Sequence, residues 1–106
     1  MDRRLAGPAV VLRTTGEIDM STAPILMEEF ELAVAARPAL VVIDLSDITF
    51  FGSAGIAALL DARERCVDAG GSLRLVATSR PVLRSLEIAG VQELLPIYPT
   101  LADATS

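Results

Sequence analysis

Residues 39–45 read Ala-Leu-Val-Val-Ile-Asp-Leu, an apolar run broken only by Asp44. A run so short and so continuous predicts a strand covered on both faces, as in a parallel sheet. Parallel neighbours need crossover connections, and the flanking sequence supplies them as helices. Upstream, residues 9–14 (Ala-Val-Val-Leu-Arg-Thr) predict a strand, and turn chemistry follows from Gly16 to Ser21. Thr22 then suits an N-cap and Pro24 a first helical turn. Leu26, Phe30, Ala33 and Val34 recur at helical spacing to about Ala36, and Pro38 ends the segment.

Downstream, Ser46-Asp47 predicts a turn or short break before the apolar residues Ile48 to Phe51. Gly52-Ser53-Ala54-Gly55 comes next, and a long amphipathic helix is expected to follow it to about Asp68, with Ile56, Leu59, Leu60, Cys66 and Val67 on its apolar side. Arg63 interrupts that stripe and is expected to lie along it with its guanidinium in water. Gly70-Gly71 stops this helix, and Ser72 to Ala77 predicts the next strand. Ser79 suits a cap for a third helix carrying Val82, Leu83 and Leu86, ended by Gly90. Leu94 to Tyr98 predicts a short edge strand, because Pro96 would break a central one, and Thr100 to Ala104 a last helical turn. The alternation defines an α/β chain with a mostly parallel sheet and helices packed on it. Its 106 residues suit a single domain, 1–106.

Composition then removes much chemistry. The chain has no His, Lys, Trp or Asn, and all nine basic residues are Arg. Without His there is no Ser-His-Asp or Cys-His pair and no imidazole shuttle. Without Lys there is no phosphate-loop lysine and no Schiff base. A net charge of −5 opposes a phosphate backbone, so no nucleic-acid partner is expected. The single Cys66 cannot form an internal disulfide and reads as a buried thiol. No long apolar stretch follows Met1-Asp2-Arg3-Arg4, and no run reaches the length of a membrane span. We therefore expect a cytoplasmic chain with no membrane partner.

Two segments carry chemistry. In Gly16-Glu17-Ile18-Asp19-Met20-Ser21-Thr22-Ala23-Pro24, a strand end, a turn and a capped helix explain Gly16, Thr22 and Pro24. They do not require Glu17 and Asp19. Those carboxylates can bind a metal, act as acid and base, recognise a partner, or accept local amide hydrogen bonds. No third ligand is evident for a metal, and local sequence alone favours the structural role. In Phe50-Phe51-Gly52-Ser53-Ala54-Gly55-Ile56, Ser53 reads as an N-cap. It also stands where a phosphate would meet a helix N-terminus. With no His or Lys to deprotonate it, Ser53 is a poor unaided nucleophile. The glycine spacing fits neither a nucleophile elbow nor a phosphate-binding loop.

Taken together, these segments resemble the STAS domain, and more narrowly the anti-sigma factor antagonists. The resemblance runs through Gly16-Glu17-Ile18-Asp19, Thr22-Ala23, Asp44-Leu45-Ser46 and Ile48 to Ile56, then Gly70-Gly71, Leu73 to Val76, Val82-Leu83 to Gly90 and Leu94-Leu95-Pro96. It implies a small mixed, largely parallel sheet flanked by about four helices. It also implies a regulator rather than an enzyme. Unphosphorylated, such a protein binds an anti-sigma factor that is also a serine kinase, and a sigma factor is released. Phosphorylation then ends the complex, and a phosphatase restores the hydroxyl.

Ser53 matches the acceptor of that family. Gly52 stands where the family commonly has Asp, and Ala54 replaces a second hydroxyl residue. Asp19 matches the family's partner-binding acidic residue. The expected partner-binding set is Glu17, Asp19, Thr22, Gly52, Ser53, Ala54, Gly55 and Ile56. No catalytic residue, metal or cofactor of its own is expected, since the kinase brings ATP and its metal. The default assembly is a monomer. The runner-up within the fold is a STAS subunit of a lipid or anion transporter complex, docking without phosphorylation.

Overall fold

The computed structural model describes residues 2–106. In chain order the elements are β1 (Asp2–Ala6), β2 (Ala9–Ile18), α1 (Ala23–Ala35), β3 (Leu40–Phe51), α2 (Ser53–Asp68), β4 (Ser72–Val76), α3 (Arg80–Ala89), β5 (Ile97–Tyr98) and α4 (Leu101–Thr105). Among the described residues the strands form one sheet in the order β1-β2-β3-β4-β5. β1 pairs antiparallel with β2, and every later pair is parallel. The expected α/β class, with a mixed and largely parallel sheet and four helices, is the observed one.

The two faces of the sheet are unequal. Leu12, Ile43, Leu75 and Ile97 stand in one register row across four strands. They face the main core with Leu26 and Phe30 of α1, Leu59 and Cys66 of α2, and Val82 and Leu86 of α3. Each fully buried aliphatic side chain there stabilises the fold by roughly 1.5–3 kcal/mol. The opposite face holds a smaller cluster, Ala9, Val11, Val42 and Val76, under Ala104 of α4. Arg74 extends over the Tyr98 ring, 5.5 Å from its centroid, and donates to the Ala104 carbonyl at 2.9 Å. Burial pushes the Cys66 thiol up to about 11.

Several expectations need correction. Residues 2–6, outside the strands expected from sequence, form β1, which Gly7, at φ +63°, turns back onto β2 as an edge. The charged Arg3 and Arg4 suit an edge strand, whose free side faces water. β2 does not stop at Gly16 but runs to Ile18. Gly16, at φ +86°, lies within an irregular stretch of the β2–β3 pairing and is no strand end.

β3 likewise passes through Ser46-Asp47 unbroken. There Asp44 accepts from the Ser46 amide at 3.0 Å and from its hydroxyl, while Asp47 pairs with Arg13. The core-facing residues of β3 are Val41, Ile43, Leu45, Ile48 and Phe51, a spacing of two, two, three and three. Each step of three marks an extra residue relative to β2, where the register shifts. β5 is shorter than expected, and Leu94 lies outside it, exposed. On α2, Val67 is exposed rather than part of the apolar stripe. Ser79 stands at the N-cap of α3, but its side chain makes no cap bond.

Candidate partner-binding site

The site lies at the carboxyl ends of β2 and β3, where α1 and α2 begin. Ligand sites on open parallel sheets favour this edge. The register pairs Glu17 with Phe50 and Ile18 with Phe51, so the two chemistry-bearing segments leave the sheet side by side. They are then tied directly, because the Gly52 amide donates to the Ile18 carbonyl at 3.0 Å. The Phe51 carbonyl, one peptide before Gly52, accepts from the Ser85 hydroxyl of α3 at 2.7 Å.

The second extra residue in β3 sets what faces outward. Phe51 stays in the core, 3 % exposed, whereas Phe50 is 49 % exposed. Strict alternation after Ile48 would have sent Phe50 inward. Phe50 borders a shallow depression of about 240 Å³ with Asp19, Met20, Gly52, Ser53 and Ala54. Next to it, Met20, Pro24 and Met27 face Ala54 and Ala57 across a groove of about 510 Å³ between α1 and α2. Met20 is almost fully exposed, at 85 %.

Asp19 organises the first segment. Its Oδ1 accepts from the Ser21 amide at 2.9 Å, the Ser21 hydroxyl at 2.7 Å and the Thr22 amide at 3.1 Å. These bonds, the Ser21 hydroxyl first, hold its carboxyl below the ordinary value. Thr22 stands at the N-cap of α1 but does not cap it with its side chain. Its hydroxyl donates to the Glu17 carbonyl and accepts from the Asp19 amide, both at 2.8 Å. Ala23 closes the turn through its amide on the Asp19 carbonyl, at 2.8 Å.

Ser53 is not the cap of α2. Gly52 takes that position, and its carbonyl accepts from the amides of Gly55 at 3.0 Å and Ile56 at 3.3 Å. Ser53 is the first residue of the helix itself, exposed, and its hydroxyl is not used for capping. The amides of Ser53 and Ala54 precede the helix's own ladder, at the positive end of its dipole.

The structure therefore brings Asp19, Gly52, Ser53 and Ala54 to one depression. Glu17 borders a separate one with Thr15, Thr22 and Ile25. Gly55 is buried against the sheet, where a Cβ would lie 2.7 Å from Phe51 Cε1 and 2.8 Å from Ile18 Cγ2. It sets the approach of α2, while Ile56 is half-buried against the main core. Met20 and Phe50 are the outward residues that sequence reasoning did not single out. An apolar Met between Asp19 and Ser21 is the one local signal for the first. Among the residues lining the depression the one ionisable side chain is Asp19, whose carboxylate accepts from Ser21 and Thr22.

The STAS domain family model matches residues 2–104, and the chain belongs to that family. Within it, the chain groups with anti-sigma factor antagonists. It is 33% identical to the anti-sigma-F factor antagonist RsfA of Mycobacterium tuberculosis over 100 residues, covering 92% of this chain and 78% of that one. It is 35% identical over 96 residues to RsfB of the same organism, also named an anti-sigma-F factor antagonist, covering 89% and 76%. The crystal structure of an anti-sigma factor antagonist from Mycobacterium paratuberculosis superposes with a TM-score of 0.90 at 35% identity, over 97% of this chain and 87% of that one.

Proposed function

We propose that this chain is a phosphorylation-switched binding partner of an anti-sigma factor. Unphosphorylated, it docks through the edge formed by residues 16–24 and 50–60 onto an anti-sigma factor that is also a serine kinase, and a sigma factor is released. The kinase, with its own ATP and metal, transfers phosphate to Ser53 and ends the complex. A phosphatase resets the switch. The chain acts here in the cytoplasm as a substrate and ligand, not as an enzyme.

The observation that carries this reading is the setting of Ser53. Its hydroxyl is exposed, uncommitted to capping, and flanked by Met20 and Phe50. Burying a neutral hydroxyl in an interface costs far less desolvation than burying a phosphate, which also brings up to two charges beside Asp19. A change of about 2–4 kcal/mol is about 30- to 900-fold in affinity, enough to reverse occupancy. The names of RsfA and RsfB support the partner class.

The test is a pull-down from extract of the source cells, followed by incubation of the recovered partner with ATP. One phosphate on Ser53, absent from Ser53→Ala, is expected by mass spectrometry. Stoichiometric phosphate on Ser53→Ala, or a Ser53→Asp protein that binds as tightly as wild type, overturns the reading.

A further inference from the structure

α3 turns Val82 and Leu86 into the core and leaves its other face uncovered. On that face Leu83 is 37 % and Ile88 76 % exposed, beside exposed Arg80, Arg84 and Glu87. A surface depression of about 690 Å³ runs along these residues. Among the described residues, neither Arg84 nor Glu87 makes an ion pair. The face is nevertheless ordered in a particular way. Arg84 and Glu87 lie three residues apart along its midline, with Leu83 and Ile88 to either side. Arg84 is as far before the Ser85–Leu86 peptide as Glu87 is after it, and Leu83 matches Ile88 in the same way.

A pattern of this kind is complementary to itself. An identical helix laid antiparallel about a twofold axis sets Arg84 level with Glu87 twice at the centre, with Leu83 and Ile88 on the two flanks, each on the side of its own symmetry mate. Isologous contacts require that self-complementarity. We propose that the α3 face is the docking surface for a second copy of this chain. An acidic peptide would satisfy Arg80 and Arg84 but meet Glu87 at the centre. An anionic membrane would meet the same carboxylate, with only two cations to hold it. One helix face is smaller than the roughly 800 Å² per partner of a standard interface, so the dimer is weak and forms only at high concentration. It uses neither Asp19 nor Ser53 and stands apart from the phosphorylation reading.

Sedimentation equilibrium of the whole chain, from about 10 μM to about 1 mM at physiological salt, reads the association directly. The average mass should climb towards the dimer. R84E and E87R should each raise the dissociation constant about tenfold, since each reverses two symmetry-related surface pairs. The double variant R84E/E87R should restore wild-type association. R84E makes the chain more acidic and E87R less, so an effect of net charge would move them in opposite directions. A constant monomer mass over the whole range overturns the proposal. So does an R84E protein that associates like wild type, or a double variant no better than the singles.

Discussion

The amide of Gly52 and the carbonyl of Ile18, 3.0 Å apart, hold the two halves of the site at a fixed spacing. Asp19 follows the acceptor and Ser53 follows the donor. The carboxylate and the hydroxyl therefore sit at one depression because of a single cross-segment bond and the β2–β3 ladder behind it.

Gly52 itself has ordinary extended angles, φ −95° and ψ −177°, so its backbone admits any residue. A Cβ there would come 3.2 Å from Phe50 Cε2, at the outer end of a half-exposed ring that can swing aside. Gly52→Asp places a carboxylate at the N-cap of α2. It should stabilise the fold by about 0.3–1 kcal/mol at neutral pH, seen as a higher urea midpoint. An unchanged or lower midpoint would mean that Phe50 does not yield.

Gly55 has no such room. Its missing Cβ would fall 2.7 Å from the Phe51 ring, which is fixed in the core. Alanine gains about 1 kcal/mol in helix propensity. Overpacking against Phe51 and Ile18 costs about 1–3 kcal/mol and should prevail. Gly55→Ala should therefore lower the urea midpoint while retaining helical circular dichroism at low denaturant.

The Asp19 carboxyl titrates lower in the folded chain than the roughly 3.9 of an unfolded aspartate. The unfolded state takes up the proton first. The contribution of Asp19 to stability is thus fully present above that unfolded value and is lost as pH falls through the folded one. Asp19→Ala should destabilise the chain at pH 7, and the gap from wild type should shrink steadily below about pH 4. Urea titrations across that range, giving a pH-independent gap, would contradict the assignment.

Ser53 caps nothing, so Ser53→Ala should change stability by no more than about 0.5 kcal/mol. Ser53→Asp, with its charge at the start of α2, should be more stable than wild type by about 0.3–1 kcal/mol. Thermal melts check both. They also matter to binding experiments, because any loss of partner affinity in these variants then reflects the interface and not unfolding.

Much of this architecture is legible in the order of residues. The run Val41–Leu45, the helical spacing of Leu26 and Phe30, and the stops at Pro38 and Gly70 depend on local chemistry. The irregular pairing of β2 with β3 does not. A step of three between Leu45 and Ile48 looks like a break until the neighbouring strand shows that pairing continues. Nor does local sequence reveal the outward setting of Phe50, which depends on that shifted register. Local sequence also makes Ser53 look like a cap, since a favoured cap residue one place inside the helix differs from a true cap only by backbone angles. The edge strand β1 carries no apolar period, because Arg3, Arg4 and Leu5 are all exposed.

The row of Leu12, Ile43, Leu75 and Ile97 crosses four strands, and each neighbour in it is separated along the chain by a whole helix. Such a sheet has no short-range pairing with which to begin, apart from the β1–β2 hairpin. Its folding should be slow for its size, because loop closure must precede the contacts that reward it. During synthesis, at about 5–20 residues per second, the apolar β3 leaves the ribosome well before β4. For about a second or more, its far edge is open to any other strand in the cell.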